Sequence, residues 1–322
     1  MNYLVIATIA YFVIALEVIL DKFLLSSKRV SHPAIYAFYS GIMTAFVLFL
    51  IPLPKFHVVD GAQIIARLLT GIVFTYGFMA LFFAINRSEA SRVIPIVGAM
   101  TPITTFFLSM FFFNDQLGTL QTLGIFILIV GGLLISFDIP FKLNKNKFFN
   151  GFYLSILAGV LLAIEAASFK GFSNHDNFLN VFIWTRFGVV LGALSLLLVP
   201  AWRKIILKSF AGSNRKGKEN HKTGALFVFN KVLGGIGSIL TKNAISLGSV
   251  TAVSALVSLE YAFIFLLGLV FSVRFPRIFQ ESRKADDLLQ KIISILIIGV
   301  GMVYVSGQTP TSFLNRIFHL FV

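Results

Sequence analysis

Residues 15–25 read ALEVILDKFLL, so Glu17, Asp21 and Lys22 interrupt an otherwise apolar helical run. A charged side chain at the centre of a bilayer costs about 2.5–3.5 kcal/mol on insertion scales, and such groups therefore need a partner or a water-filled cavity. A second stretch, AIEAASFKGFS at 163–173, repeats the arrangement: Glu165 stands five residues before Lys170, as Glu17 does before Lys22. Two copies at one spacing predict a duplicated membrane protein whose buried charges serve a purpose.

Composition points to the same class. The 322 residues are 57% hydrophobic and 12% charged, against about 25% charged in soluble domains. The chain has 37 Phe and no Cys, which excludes disulfide frameworks and thiolate metal sites. Its formal net charge of +14 does not suggest nucleic acid as a partner. The basic residues lie in short runs between apolar stretches, in the manner of cytoplasmic loops of membrane proteins.

A spanning helix needs about 20 mostly apolar residues, and ten such windows occur: 3–24, 33–52, 68–86, 91–113, 118–137, 149–171, 178–200, 223–245, 250–273 and 288–306. The runs are continuously apolar rather than alternating, which predicts helices and not barrel strands. The first window lacks a basic n-region and a small-residue cleavage site, so it reads as a span and not a cleavable signal. Lys and Arg set the orientation: the odd-numbered loops hold 18 of them, the even-numbered loops and the tail 3 (Lys55, Arg67, Arg316). By the positive-inside rule the odd loops are cytoplasmic and both termini lie outside.

Shifting the first half by 148 residues lays its first two windows on the sixth and seventh without a gap, with Glu17 on Glu165, Lys22 on Lys170 and Pro52 on Pro200. AINRSEASRVIPIV (84–97) then pairs with AISLGSVTAVSALV (244–257), and ILIVGGLL (127–134) with ILIIGVGM (295–302). The expected organisation is a first five-helix repeat over 1–138, a linker at 139–148, a second repeat over 149–306 and a tail at 307–322. Five is odd, so the second repeat enters the membrane inverted relative to the first. Inverted repeats with a site near the midplane at their interface are a mark of secondary transporters.

With these residues in view, the chain over 3–306 resembles the drug/metabolite transporter superfamily, specifically its EamA-type ten-helix members. Lys22 and Lys170 stand where the first helix of each half in that family tends to end in Lys. Pro102 fits its fourth helix, although Asn114-Asp115 replaces the usual Gly-Glu turn. SLEYAF keeps Leu259 and Glu260 of the family's Leu-Glu-Pro, with Tyr261 in place of Pro. TRFGVV (185–190) is similar to the Arg-Phe opening of a second helix, and the Trp-Gly pair common in the first helix is absent. The resemblance implies a multi-pass transporter of the cell membrane, without enzymatic activity and without a cofactor or metal.

The candidate substrate-binding residues are Glu17, Lys22, Glu165, Lys170, Arg186, Asn230, Lys231 and Glu260. Arg186, Lys231 and Glu260 lie midway along their windows, where reaching the interface is hard. Lys22, Lys170 and Lys242 lie nearer helix ends, and each either snorkels or faces the interior. Asn230, Lys231, Ser238, Thr241 and Lys242 form a polar stripe on the eighth helix. Under the repeat shifts Arg186 corresponds to Phe38, Lys231 to Gly71 and Glu260 to Met100, so polar recognition is expected to come mainly from the second half. A Lys231–Glu260 bridge is one expected pairing. Glu17, Glu165 or Glu260 could carry a coupling proton. The leading function is transport of a small polar or amphipathic metabolite (an amino acid, organic acid or similar) by alternating access, in a monomer or homodimer. Lipid-linked or drug-like compounds are the alternative cargo, given the many Phe. An intramembrane enzyme is disfavoured, because the five His lie in loops or the tail and no paired metal-ligand or Ser/His spacing occurs. A non-transporting assembly protein is disfavoured by the buried charge.

Overall fold

The computed structural model describes residues 3–25, 32–87, 90–112, 118–136, 151–211, 218–274 and 285–305. The expected linker at 139–148 and tail at 307–322 lie outside the described residues. Every regular element described is helical: α1 (Tyr3–Leu25), α2 (Pro33–Met43), α3 (Gly61–Arg87), α4 (Ala90–Phe112), α5 (Thr119–Ser136), α6 (Phe152–Ser173), α7 (Phe178–Ser195), α8 (Pro200–Ala211), α9 (Lys218–Leu247), α10 (Val250–Ala255), α11 (Val257–Arg274) and α12 (Ala285–Val305). Two 3-10 segments, Thr44–Leu50 and Leu196–Leu198, extend α2 and α7. In hydrocarbon each backbone polar group must be satisfied within the protein, which a helix does within its own segment.

Among the described residues, eight helical segments are long and apolar enough to cross a membrane. Two shorter apolar helical stretches, Ile96–Phe112 and Thr119–Leu134, fall in the fourth and fifth expected windows. Large apolar side chains face outward along them, among them Phe111, Phe112, Val270 and Leu296. In water such a surface would be an aggregation hazard; against lipid it costs nothing.

Four local features differ from the sequence reading. First, α3 begins at Gly61, so Arg67 lies within a helix and not in a loop. Second, the second span tightens into 3-10 geometry from Thr44. Third, the basic loop after the seventh span starts with a helix of its own, α8. There Pro200 takes the first-turn position that its fixed φ favours. Ile206 is buried while Arg203, Lys204 and Lys208 are exposed, the division of an interfacial amphipathic helix. Fourth, the ninth span is broken at Leu256 into α10 and α11. The carbonyl of Val253 near that break accepts a 2.8 Å hydrogen bond from the Tyr11 hydroxyl, so a neighbouring helix supplies the donor there.

The main helix pairings are α5 with α12, α1 with α9 and α11, α6 with α3 and α4, and α3 with α7. The largest buried cluster joins α1, α5, α6, α7, α9, α10, α11 and α12 through residues such as Tyr11, Phe169, Val253, Phe265 and Ile298.

Candidate functional site

The two repeated carboxylates both end on α9. Glu17 of α1 accepts a 2.9 Å hydrogen bond from the Lys231 ammonium, and each side chain is largely buried. The same ammonium donates to the Tyr36 hydroxyl at 2.7 Å and stands 4.8 Å from the Tyr36 ring centre. Gly234, one turn along α9, makes room for this pair: a Cβ there would collide with the Glu17 carboxylate. Lys231 thus joins Glu17, and the alternative bridge to Glu260 is not the one formed.

Glu165 of α6 is 3% exposed and is bonded to the ammonium of Lys242, itself 5% exposed. Lys242 therefore does not reach out to an interface; burial and a Phe169 ring at 5.2 Å hold it inside. Lys231 and Lys242 are eleven residues apart, about three helical turns, so one face of α9 presents both cations to α1 and α6. Lys242 was legible as part of the polar stripe but not as the partner of Glu165.

Arg186 of α7 is 4% exposed. Its guanidinium carbon lies 4.9 Å from the ring centres of both Phe74 and Phe182, and Glu165 and Lys242 are its charged neighbours. Its Nε and Nη2 are buried without a hydrogen-bond partner among the described residues. Glu260 occupies the first turn of α11, within electrostatic reach of Glu17, Tyr11 and Tyr261, and forms no hydrogen bond or ion pair among the described residues. Tyr261 occupies space that Gly98 of α4 leaves, since a Cβ at Gly98 would collide with the hydroxyl; that hydroxyl donates to the Ile94 carbonyl at 3.3 Å.

The remaining candidates separate from these clusters. Lys170 donates to the Ser246 carbonyl at 3.1 Å, in the last turn of α9, where a cation complements the helix dipole. Asn230 is fully buried in α9. Lys22 falls in the last turns of α1, and its side chain lies outside the described residues.

Sequence reasoning missed a third cluster, at the start of α3. Arg67 is 1% exposed and donates to Asp176 at 2.8 Å and to Gln63 at 2.8 Å. Asp176 also accepts from the Asn180 side chain at 2.7 Å through Oδ2 and from the Asn177 backbone at 2.6 Å through Oδ1, and Oδ1 lies 3.6 Å from His57 Nε2. Burial opposes ionisation of Asp176, but the hydrogen bonds from Asn180, Arg67 and Asn177 and the Arg67 charge together hold its carboxyl below the ordinary value. Around it the segment 53–60 is strapped to α7: His57 N–H donates to Asn180 at 3.2 Å, Trp184 Nε1 to the His57 carbonyl at 3.3 Å, and Asn177 to the Lys55 carbonyl at 3.0 Å. Among the described residues, no group of three or more His, Asp or Glu is placed to hold a metal ion.

Comparison with known proteins agrees with this architecture. A solved structure titled only "Crystal structure of protein" is similar with a TM-score of 0.63 and 14% identity, over 94% of this chain and 94% of that one. That likeness concerns the fold. A search of the curated proteins returns no match. Residues 1–137 match the family model of the EamA-like transporter family. Over those residues the chain is similar to the EamA-like transporter family of the drug/metabolite transporter superfamily, and its apolar spans are those of an integral membrane protein.

Proposed function

We propose that the protein is a multi-pass secondary transporter of the plasma membrane that moves a small polar or amphipathic metabolite, such as an amino acid or organic acid. It would do so by alternating access between two inverted five-helix repeats. The observation that carries this reading is the convergence of two ion pairs on α9: Glu17–Lys231 from the first helix of one proposed repeat, and Glu165–Lys242 from the first helix of the other. A membrane scaffold gains nothing from charges that are expensive to hold in hydrocarbon. A carrier needs them to replace the water around a polar solute.

Helix packing supports the repeat. Exchange of the halves maps α1 to α6, α3 to α9 and α4 to the α10–α11 pair. The contacts of α1 with α9 and α11 then have their counterparts in those of α6 with α3 and α4. The ten-span count follows if the two shorter apolar helices cross beside the eight longer ones. The broken ninth span fits as well, since discontinuous helices near the midplane recur in transporter sites. Glu260, which has no bonded partner among the described residues, is the carboxylate available for a coupling proton.

The test uses purified protein in liposomes loaded with a mixture of radiolabelled amino acids and organic acids. The parent should release at least one labelled compound faster than protein-free liposomes. Glu17→Gln and Glu165→Gln should slow that release about tenfold or more while the proteins still fold. Release no faster than from protein-free liposomes would sink the transport reading. Variants that match the parent would make the two pairs structural remnants.

A further inference from the structure

We infer that Arg186 is the docking point for a carboxylate of the transported solute, an assignment that rests on the transport reading above. Buried side-chain donors are almost always hydrogen-bonded, and an exception requires a reason. Arg186 is 4% exposed, yet among the described residues its Nε and Nη2 have no hydrogen-bond partner. Phe74 and Phe182, each 4.9 Å from the guanidinium carbon, attract the positive charge through their faces but offer no lone pair to an N–H. The rings answer part of the charge, while three of the five N–H donors, those on Nε and Nη2, are left open among the described residues.

Charge counting selects the class of ligand. Glu165 and Lys242 neutralise one another through their direct bond. Arg186 is then an excess cation in the same neighbourhood, with no ion pair of its own among the described residues. One negative charge completes the cluster. Nε and Nη2 lie on the same edge of the planar fork, and two parallel N–H groups there match the two oxygens of a carboxylate. A lysine-like point charge would not impose that geometry. The rings of Phe74 and Phe182 stand 4.9 Å from the guanidinium carbon and would favour a solute whose carboxylate is carried on an apolar or aromatic body.

An alternative explanation is that Arg186 only balances Glu165 electrostatically. The two explanations differ in whether an added anion is bound, so binding is measured without reference to transport. The thermal unfolding midpoint of the full chain in detergent is titrated with benzoate and, separately, with benzamide, its neutral analogue of nearly equal shape. Benzoate should raise the midpoint saturably and benzamide should not. Arg186→Gln should weaken the apparent benzoate affinity about tenfold or more, the worth of a charge-assisted hydrogen bond. Arg186→Lys, which keeps the charge and loses the fork, should also weaken it but retain the preference for benzoate over benzamide; it carries the test if Arg186→Gln does not fold. Equal responses to benzoate and benzamide in the parent, or unchanged benzoate affinity in either variant, would overturn the assignment. Solute release from liposomes together with absent benzoate selectivity sinks only the Arg186 site. Selective benzoate binding without release of any solute sinks the transport reading instead.

Discussion

Glu165 and Glu17 stand at equivalent positions of the two proposed repeats, but they live in different surroundings. The Glu165–Lys242 pair is almost sealed, whereas the side chains of Glu17 and Lys231 keep 19% and 10% of their exposure. Removing one partner of a buried pair costs about 3–5 kcal/mol, because the other charge is left without compensation, while replacing both by apolar residues is often close to neutral. Lys242→Met should therefore destabilise more than Lys231→Met, and the double change Glu165→Met with Lys242→Met should regain most of the loss. Arg186 offsets only part of the Lys242→Met loss, because it lies within electrostatic reach of Glu165 but makes no hydrogen bond to it. Thermal unfolding midpoints of the four proteins in one detergent give the order; a Lys231→Met protein less stable than Lys242→Met would contradict it. The sequence marked both carboxylates and Lys231 by their depth in apolar runs. It could not say which cation meets which carboxylate, because that depends on the relative rotation of α1, α6 and α9. It also could not reveal Tyr36, since a tyrosine in an apolar helix resembles any other aromatic wall.

Most spans were legible at the level of elements because a run of about 20 apolar residues is a strong signal; their fine structure was not. The break at Leu256 has no Pro or Gly to announce it in VTAVSALVSLEY, and the hydroxyl that meets the nearby Val253 carbonyl comes from Tyr11 on another helix. The Arg67–Asp176 cluster was hidden because Arg67 falls at the polar edge of its window and Asp176 in a four-residue connection. That connection and the segment 53–60 tie the entry to α3 to the start of α7, joining one proposed repeat to the other at a single end of the bundle. The hydrogen bonds that hold the Asp176 carboxyl below its ordinary value make this strap pH-sensitive. A carboxylate whose value is depressed in the folded state contributes stability that is fully present above its unfolded value. That contribution is lost as pH falls through the folded value, so the loss begins below about pH 4. The parent's unfolding midpoint should fall more steeply between about pH 4 and 2.5 than that of Asp176→Asn, which has no such proton to gain. Parallel slopes would mean that the strap contributes nothing measurable.

For the molecule as a whole, the distribution of charge fixes an expected orientation. Of the Lys and Arg, 18 lie in odd-numbered loops against 3 in even-numbered loops and the tail. Cytoplasmic loops carry that excess. The structure adds that part of the excess sits on α8, whose Arg203, Lys204 and Lys208 are exposed while Ile206 is buried. Tyr39 holds this helix against α2 through a 3.0 Å hydrogen bond with Ser209. A helix with an exposed basic face suits the anionic cytoplasmic leaflet, where each Lys or Arg near the surface is worth about 1 kcal/mol. The Asp176 strap lies in the even-numbered loops and so belongs to the opposite face. The chain has no Cys, so single cysteines report location without background. Asp60→Cys, in the exposed entry to α3, should react with a membrane-impermeant maleimide on intact cells. Lys204→Cys, on exposed α8, should react only after the membrane is permeabilised. If Lys204→Cys is labelled in intact cells while Asp60→Cys is protected, the bundle is inserted the other way up, and the strap becomes a cytoplasmic feature.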